Sequence, residues 1–270
     1  MKIATAQLQE RTADDRVLAD DNGVVVLDGA TAFDPDVPSA GTYVDVLQNE
    51  LYQRLASPSD LRSILADAIR ATADYLRILP GRAPSSTVAI LRPHGDELEI
   101  LVLGDTSVVI GQADKIVDLI IDDRIGALDL PDSQEYKRRL KSGTGYDQAH
   151  GDLLQSLQRQ QRQRRNRPGG YWIAEADPSA AEHAVVQRYA FSDVDWVILA
   201  TDGAAKPLEP LNISWPEVAH FTATGLEQLL DRCHRWEAER DPDGRLQPRA
   251  KRHDDKTIAV VRPNCPHHAS

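Results

Sequence analysis

Two stretches of the chain, VVVLDGAT at residues 24–31 and WVILATDGAAK at residues 196–206, share one pattern: a strand-length apolar run that ends in Asp-Gly. Val24, Val25, Val26 and Leu27 offer no polar face, so the run belongs inside a sheet covered above and below. A carboxylate follows at once, Asp28 in the first stretch and Asp202 in the second. One Asp-Gly is an ordinary turn pair. The pattern returns, however, in ELEILVLGDTS, where Asp105 follows Gly104, and in the pair Asp254 and Asp255 just before the apolar run KTIAVV. Such a chain must build sheets buried on both faces, with several acids at the strand ends.

The remaining pattern narrows the architecture. Val44, Leu47, Leu51 and Leu55 recur at helical spacing, and a second helix with Leu61, Ile64, Leu65, Ala68, Ile69 and Leu76 on its buried face follows, with Ser57 expected to cap it and Pro58 to open its first turn. After PGRAP at residues 80–84, four short runs rich in Val and Ile (STVAILRP, ELEILVLG, TSVVIG and KIVDLII) read as an antiparallel meander. Residues 122–170 read as one or two helices with exposed connections, followed by strands at HAVVQRYAF and WVILATDG, a helix at GLEQLLDRCHRWEAE and a last strand at KTIAVVRP. This order does not alternate as βαβ units do. It predicts an α+β chain of two antiparallel sheets packed face to face, with helices outside.

At 270 residues and 29.8 kDa the chain has ample material for a core, and a single domain is expected. A formal net charge of −11 disfavours binding to nucleic acid or anionic lipid through the overall field. The charge is uneven: Lys137, Arg138, Arg139, Lys141, Arg159, Arg162, Arg164, Arg165 and Arg167 make residues 137–167 a basic island, readable either as a solvated helical face or as a dock for an acidic or phosphorylated partner. Cys233 and Cys265 form no Cys-x-x-Cys pair, which argues against a zinc or disulfide framework. The first residues lack the apolar core of a signal peptide and no run approaches the length of a membrane span, so a cytoplasmic location is expected.

If the strands that carry them are neighbours, Asp28, Asp105, Asp202 and Asp254 converge at one edge of the sandwich. Carboxylates crowded together need a counter-charge, because repulsion and desolvation otherwise drive them to take up protons. An oxygen-only donor set without His or Cys suits Mg²⁺ or Mn²⁺.

In order, VVVLDGAT, PSSTVAIL, LEILVLGDTS, VILATDGA and DDKTIAVV resemble the motifs of the metal-dependent protein phosphatases of the type 2C class, over residues 11–262. The resemblance implies a single domain over residues 1–270 with an αββα sandwich, a flap-like insertion around residues 122–170 and a site for two Mg²⁺ or Mn²⁺ ions. On that pattern Asp28 bridges both ions, Gly29 offers its carbonyl, Asp202 and Asp254 serve one ion, and Asp105 matches a position associated with a third, weaker one. In ERTADDRVL, Arg11 stands where the family grips phosphate, and Asp14 or Asp15 where it has a metal-associated acid; Asp15 is favoured, with the choice left open by one residue of spacing.

The match has gaps. Many members place a histidine after the Asp-Gly to protonate the leaving oxygen, whereas this chain has Ala30 and then Thr31. His253, beside Asp254, is the one histidine next to a predicted ligand, and a solvated role is expected for it. The resemblance implies a metal-dependent hydrolase, with Arg11 and Asp28 central to catalysis, that removes phosphate from phosphoserine or phosphothreonine. Its expected partner is a phosphorylated protein, with no nucleic acid and no membrane, and the chain is expected to be monomeric. Rival readings are a small-molecule phosphatase, a weak or inactive member that binds a phosphorylated partner as a regulator, and a nucleic-acid reader built on the basic island.

Overall fold

The structure, a computed structural model, describes residues 1–10, 13–30 and 36–263. In strand β3 (Gly23–Ala30) the extended backbone sends Val25 and Leu27 to one side and Val24 and Val26 to the other, and all four are buried. Strand β9 (Trp196–Ala200) does the same with Ile198 and Ala200 against Val197 and Leu199. Each of these strands therefore faces two apolar layers, which is why its sequence shows no alternation.

Five strands form one antiparallel sheet in the order β2-β3-β4-β5-β8: β2 (Asp15–Asp20), β3, β4 (Ser85–His94), β5 (Glu97–Leu103) and β8 (Val185–Ala190). The other is ordered β1-β10-β9-β6-β7, from β1 (Lys2–Leu8), β10 (Lys256–Arg262), β9, β6 (Ser107–Gln112) and β7 (Lys115–Ile120). The sheets pack on each other through Val24, Val26, Ile100 and Val102 from the first and Val108, Val197, Leu199 and Val261 from the second. Helices α1 (Ala40–Leu55) and α2 (Leu61–Leu76) cover the first sheet. On α1 the stripe of Tyr43, Val44, Leu47, Leu51 and Leu55 is fully buried, and each large side chain contributes roughly 1.5–3 kcal/mol of burial. Two further helices, α3 (Pro131–Lys141) and α4 (Gln148–Arg164), lie within residues 122–170 and share a small core of Leu130, Tyr136, Leu140 and Leu157. The second sheet is covered by short α5 (Asp202–Ala205), short α6 (Trp215–Val218) and long α7 (Ala223–Glu239). Among the described residues, no helix is long and apolar enough to cross a membrane.

Three expectations are corrected. Two strands precede β3, where the sequence pattern begins only at residue 24: β1 is built from small and polar residues and is held by pairing along its length with β10, and β2 is short and half-buried. The four runs after residue 84 are not one meander. The chain leaves the first sheet after β5 and enters the second at β6, so LGDTS is a crossing between sheets and Asp105 lies on it. Helix α2 starts at Leu61, because the carboxylate of Asp60, not Ser57, accepts from the backbone N–H groups of Arg62 and Ser63 at 3.0 and 3.1 Å.

Candidate metal centre

The register of β2 against β3 places Asp15 directly opposite Asp28, with side chains on one face of the sheet. Two like charges at facing positions repel, and no structural advantage follows from putting them there unless something positive comes between. Asp105 arrives from the crossing after β5, Asp202 from the first residue of α5, and Asp254 from the segment before β10. Five acids from both sheets thus meet at one end of the sandwich. Asp15 is fully buried, while Asp28, Asp105, Asp202 and Asp254 are half-buried.

The electrostatics record the crowding. Burial, and then the charges of Asp15, Asp202, Asp254 and Asp105, raise Asp28 well above the usual carboxylate range. Burial pushes Asp15 up to about 8, against hydrogen bonds that pull it down, one of them from Thr201 Oγ1 to Asp15 Oδ2 at 2.9 Å. Burial and the neighbouring Asp202 push Asp105 up to about 6, and the same two causes raise Asp254. Asp202 is the exception: burial acts upward on it too, but Lys206 binds its carboxylate and holds it low. Lys251 Nζ likewise lies 3.0 Å from Asp254 Oδ1. Two ammonium groups therefore balance two of the acids, while Asp15 and Asp28 remain the most strained. This imbalance, in a set made of carboxylate oxygens, suits divalent hard cations, for which Asp15, Asp28, Asp105, Asp202, Asp254 and the Gly29 carbonyl are the candidate ligands.

Local structure explains how each acid is held. At Gly104 φ is +90°, and a Cβ there would lie 2.8 Å from Thr87 Cγ2, so the turn that presents Asp105 needs glycine. Asp122 Oδ2 fastens it by accepting from Gly104 N at 3.1 Å. The Gly29 N–H donates to the Asp14 carbonyl at 3.1 Å, tying the end of β3 to the start of β2. At Gly203 a Cβ would fall 2.1 Å from the Asp255 carbonyl oxygen, a backbone atom that has no room to yield. Gly203→Ala is therefore expected to cost at least about 1–3 kcal/mol in denaturant unfolding and to loosen Asp202 from Asp254. An unchanged midpoint would show that this crossing of backbones is not rigid.

Two positioning residues were not read from the sequence. Asp255 accepts backbone N–H bonds from Glu10 and Asp14, which bracket the segment carrying Arg11. Thr201 donates to Asp15 while its Oγ1 also accepts from Thr257 N at 3.0 Å, joining the end of β9 to β10 and to the acid cluster. Asp255 had a sequence signal in the Asp-Asp pair; Thr201 had only its place before Asp202. Arg11 and Thr31 lie outside the described residues, as does Cys265, whereas Cys233 is buried on α7.

Beside the acids opens a cavity of about 410 Å³, with Asp105, Asp202, Asp254, Lys206 and Lys251 on one side and Tyr136, Lys137 and Leu157 of α3 and α4 on the other. The insertion thus stands over the cluster. Three of its basic residues are ion-paired: Arg138 with Glu135, Arg139 with Asp147, and Arg165 with Glu175. His253 is not solvated as expected. Its Nδ1 lies 3.1 Å from Glu237 Oε2 and its ring stacks on His234; it does not itself line the cavity, although Glu237 and Asp254 do.

Sheet order, outer helices and the acid cluster at the sheet ends together make this the fold of the PPM serine/threonine phosphatases, and solved structures of that class match the chain over almost its whole length. The PPM phosphatase MsPP from Mycobacterium smegmatis, solved with cacodylate, is 15% identical with a TM-score of 0.55, covering 98% of this chain and 99% of that one. The serine/threonine phosphatase Stp1 from Staphylococcus aureus is 12% identical with a TM-score of 0.58, covering 97% and 95%. The catalytic domain of the phosphatase PstP, solved with two manganese ions, is 14% identical with a TM-score of 0.54, covering 96% of each chain. No protein-family model and no curated protein matches the sequence. At these identities the likeness speaks for the fold, and the chemistry must be argued from the residues.

Proposed function

We propose that the chain is a metal-dependent phosphomonoesterase that removes phosphate from phosphoserine or phosphothreonine in proteins. The observation that carries this reading is the convergence of Asp15, Asp28, Asp105, Asp202 and Asp254 from both sheets into one cluster, of which Asp105, Asp202 and Asp254 line a cavity. Bound Mg²⁺ or Mn²⁺ supplies an acidified water and neutralises phosphoryl charge. Asp28, raised by the charges of the other four, would be the central metal ligand, with Asp15 joining it from the facing strand and Asp202, Asp254 and Asp105 as the further ligands. Asp255 holds Glu10 and Asp14, the described residues on either side of Arg11, which would grip two phosphate oxygens. Among the described residues no histidine lines the cavity, so none of them offers an imidazole there to protonate a serine or threonine leaving oxygen.

Two features favour the second reading, a weak or inactive relative that binds a phosphorylated partner: the Lys206 and Lys251 ammonium groups already seated on Asp202 and Asp254, and Ala30 after the first Asp-Gly. Phosphate release from an aryl phosphate and from a phosphothreonine peptide, with Mn²⁺ or Mg²⁺ and with chelator, separates the two. Metal-dependent release is expected from both substrates, faster from the aryl ester, whose leaving group needs no acid. A folded protein without turnover under either metal would sink the enzyme reading and leave the regulator.

A further inference from the structure

A second cluster, outside the carboxylate set, includes His253, the chain neighbour of Asp254. Glu10 follows β1, His234 sits on α7, and His253 lies in the segment that leads to β10; their ligand-capable atoms fall within 4.8 Å of one another. His234 Nδ1 is buried and makes no hydrogen bond, although it lies 3.1 Å from Glu10 Oε1. A nitrogen and a carboxylate oxygen that are close but misaligned for a hydrogen bond are placed as two ligands of a shared ion are placed. His253 has the complementary arrangement. Its Nδ1 is 3.1 Å from Glu237 Oε2, and the buried Glu237 also accepts from Lys256 Nζ at 2.9 Å. Donation from Nδ1 to a fixed carboxylate leaves the Nε2 lone pair free, the outer-shell arrangement found behind metal-bound histidines.

We propose that Glu10, His234 and His253 form a site for one zinc-class ion, distinct from the carboxylate centre. Two imidazole nitrogens and one carboxylate oxygen are the donor set that Zn²⁺ accepts with a fourth position left to water, whereas Mg²⁺ prefers the oxygen cluster nearby. Metal–ligand bonds of about 2.0–2.1 Å imply ligand separations near 3.3 Å; Glu10 Oε1 and His234 Nδ1 already stand 3.1 Å apart, so His253 is the ligand that closes in, by up to about 1.5 Å. The elements to be drawn in are already in contact, since β1 pairs with β10 and packs against α7. The consequence reaches the carboxylates: Glu10 also gives its backbone N–H to Asp255, and His253 precedes Asp254, so a loaded site pins both segments that flank the acid cluster.

The test is zinc binding itself, measured on the untagged full chain by competition with a chromophoric chelator, with millimolar Mg²⁺ present to occupy the carboxylates. One equivalent of Zn²⁺ is expected to bind with submicromolar affinity, weakened at least about tenfold by His234→Ala and by Glu10→Gln and retained in Asp28→Asn. Glu10 is half-exposed and the glutamine keeps its volume, so Glu10→Gln reads the site even if the helix variant is unstable. Absence of tight zinc in the wild type overturns the proposal. So does tight binding that survives both substitutions, which would place the ion on Cys265, His267 and His268 or on the carboxylates.

Discussion

Asp28→Asn is expected to abolish metal-dependent phosphate release, by about a thousandfold or more in kcat/KM, while the variant remains folded. Asp28 sits at the end of a central strand with Asp15 facing it and three more acids around it. The asparagine has the same shape and can keep neighbouring hydrogen bonds, but it carries no charge to share between two cations. Losing a thousandfold corresponds to about 4 kcal/mol of transition-state stabilisation, within what a Lewis-acid pair contributes to phosphoryl chemistry. Because the native carboxylate is pushed up by burial and by like charge, the metal-free variant should be no less stable than the metal-free wild type at neutral pH. The combination matters: a dead but stable variant assigns the residue to chemistry, whereas turnover near the wild-type level would remove Asp28 from the site.

The part of this site that could be read from the sequence is the part whose residues face two apolar layers. β3 and β9 are buried on both sides, so Val24–Leu27 and Val197–Ala200 show themselves as unbroken apolar runs, and an acid at the end of such a run stands out. β1 and β2 are held by hydrogen bonding to β10 and β3 rather than by their own apolarity, and Ala4, Thr5 and Ala6 carry almost no pattern to find. The choice between Asp14 and Asp15 had the same origin. Adjacent residues of a strand point to opposite faces, so only the pairing register could settle which one faces Asp28.

Lys206 and Lys251 illustrate a different limit. Each stands three or four residues from the acid it binds, at i+4 from Asp202 and i−3 from Asp254, so the spacing was present in the sequence. What the sequence lacked was the reason for noticing it, because such pairs on exposed surfaces are common and weak. Their meaning comes from the cavity they share, where each pairs with one of the acids that line it, while Asp15 and Asp28 form no ion pair among the described residues.

That asymmetry sets the second large expectation: metal-free protein should lose stability as pH rises from about 5 to 8, and saturating Mg²⁺ or Mn²⁺ should restore it. The sign follows from Asp15, whose folded-state value is raised from 3.8 to about 8. Between those values the folded protein holds a proton that the unfolded chain has already released. The associated stability is full below the unfolded value, declines through the window and is gone above about 8. Asp28 and Asp105, both raised, act in the same direction. The lowered acids Asp60, Glu99, Glu135, Asp147 and Asp202 act the other way, but their loss comes as pH falls through and below the ordinary carboxylate range, outside this window. At 1.36 kcal/mol per unit, one group titrating alone across pH 5 to 8 is bounded by about 4 kcal/mol, which corresponds to a melting temperature lower by on the order of 10 °C at the alkaline end. Cations that bind the ionised acids remove the penalty by mass action and invert the trend. Thermal unfolding followed by circular dichroism at pH 5, 6, 7 and 8, in chelator and in metal, measures it, and Asp15→Asn should flatten the chelator series. A metal-free melting temperature that is constant or rises through the window would mean that these acids are not crowded as the register of β2 and β3 requires, and with that the case for a cation between them would fall.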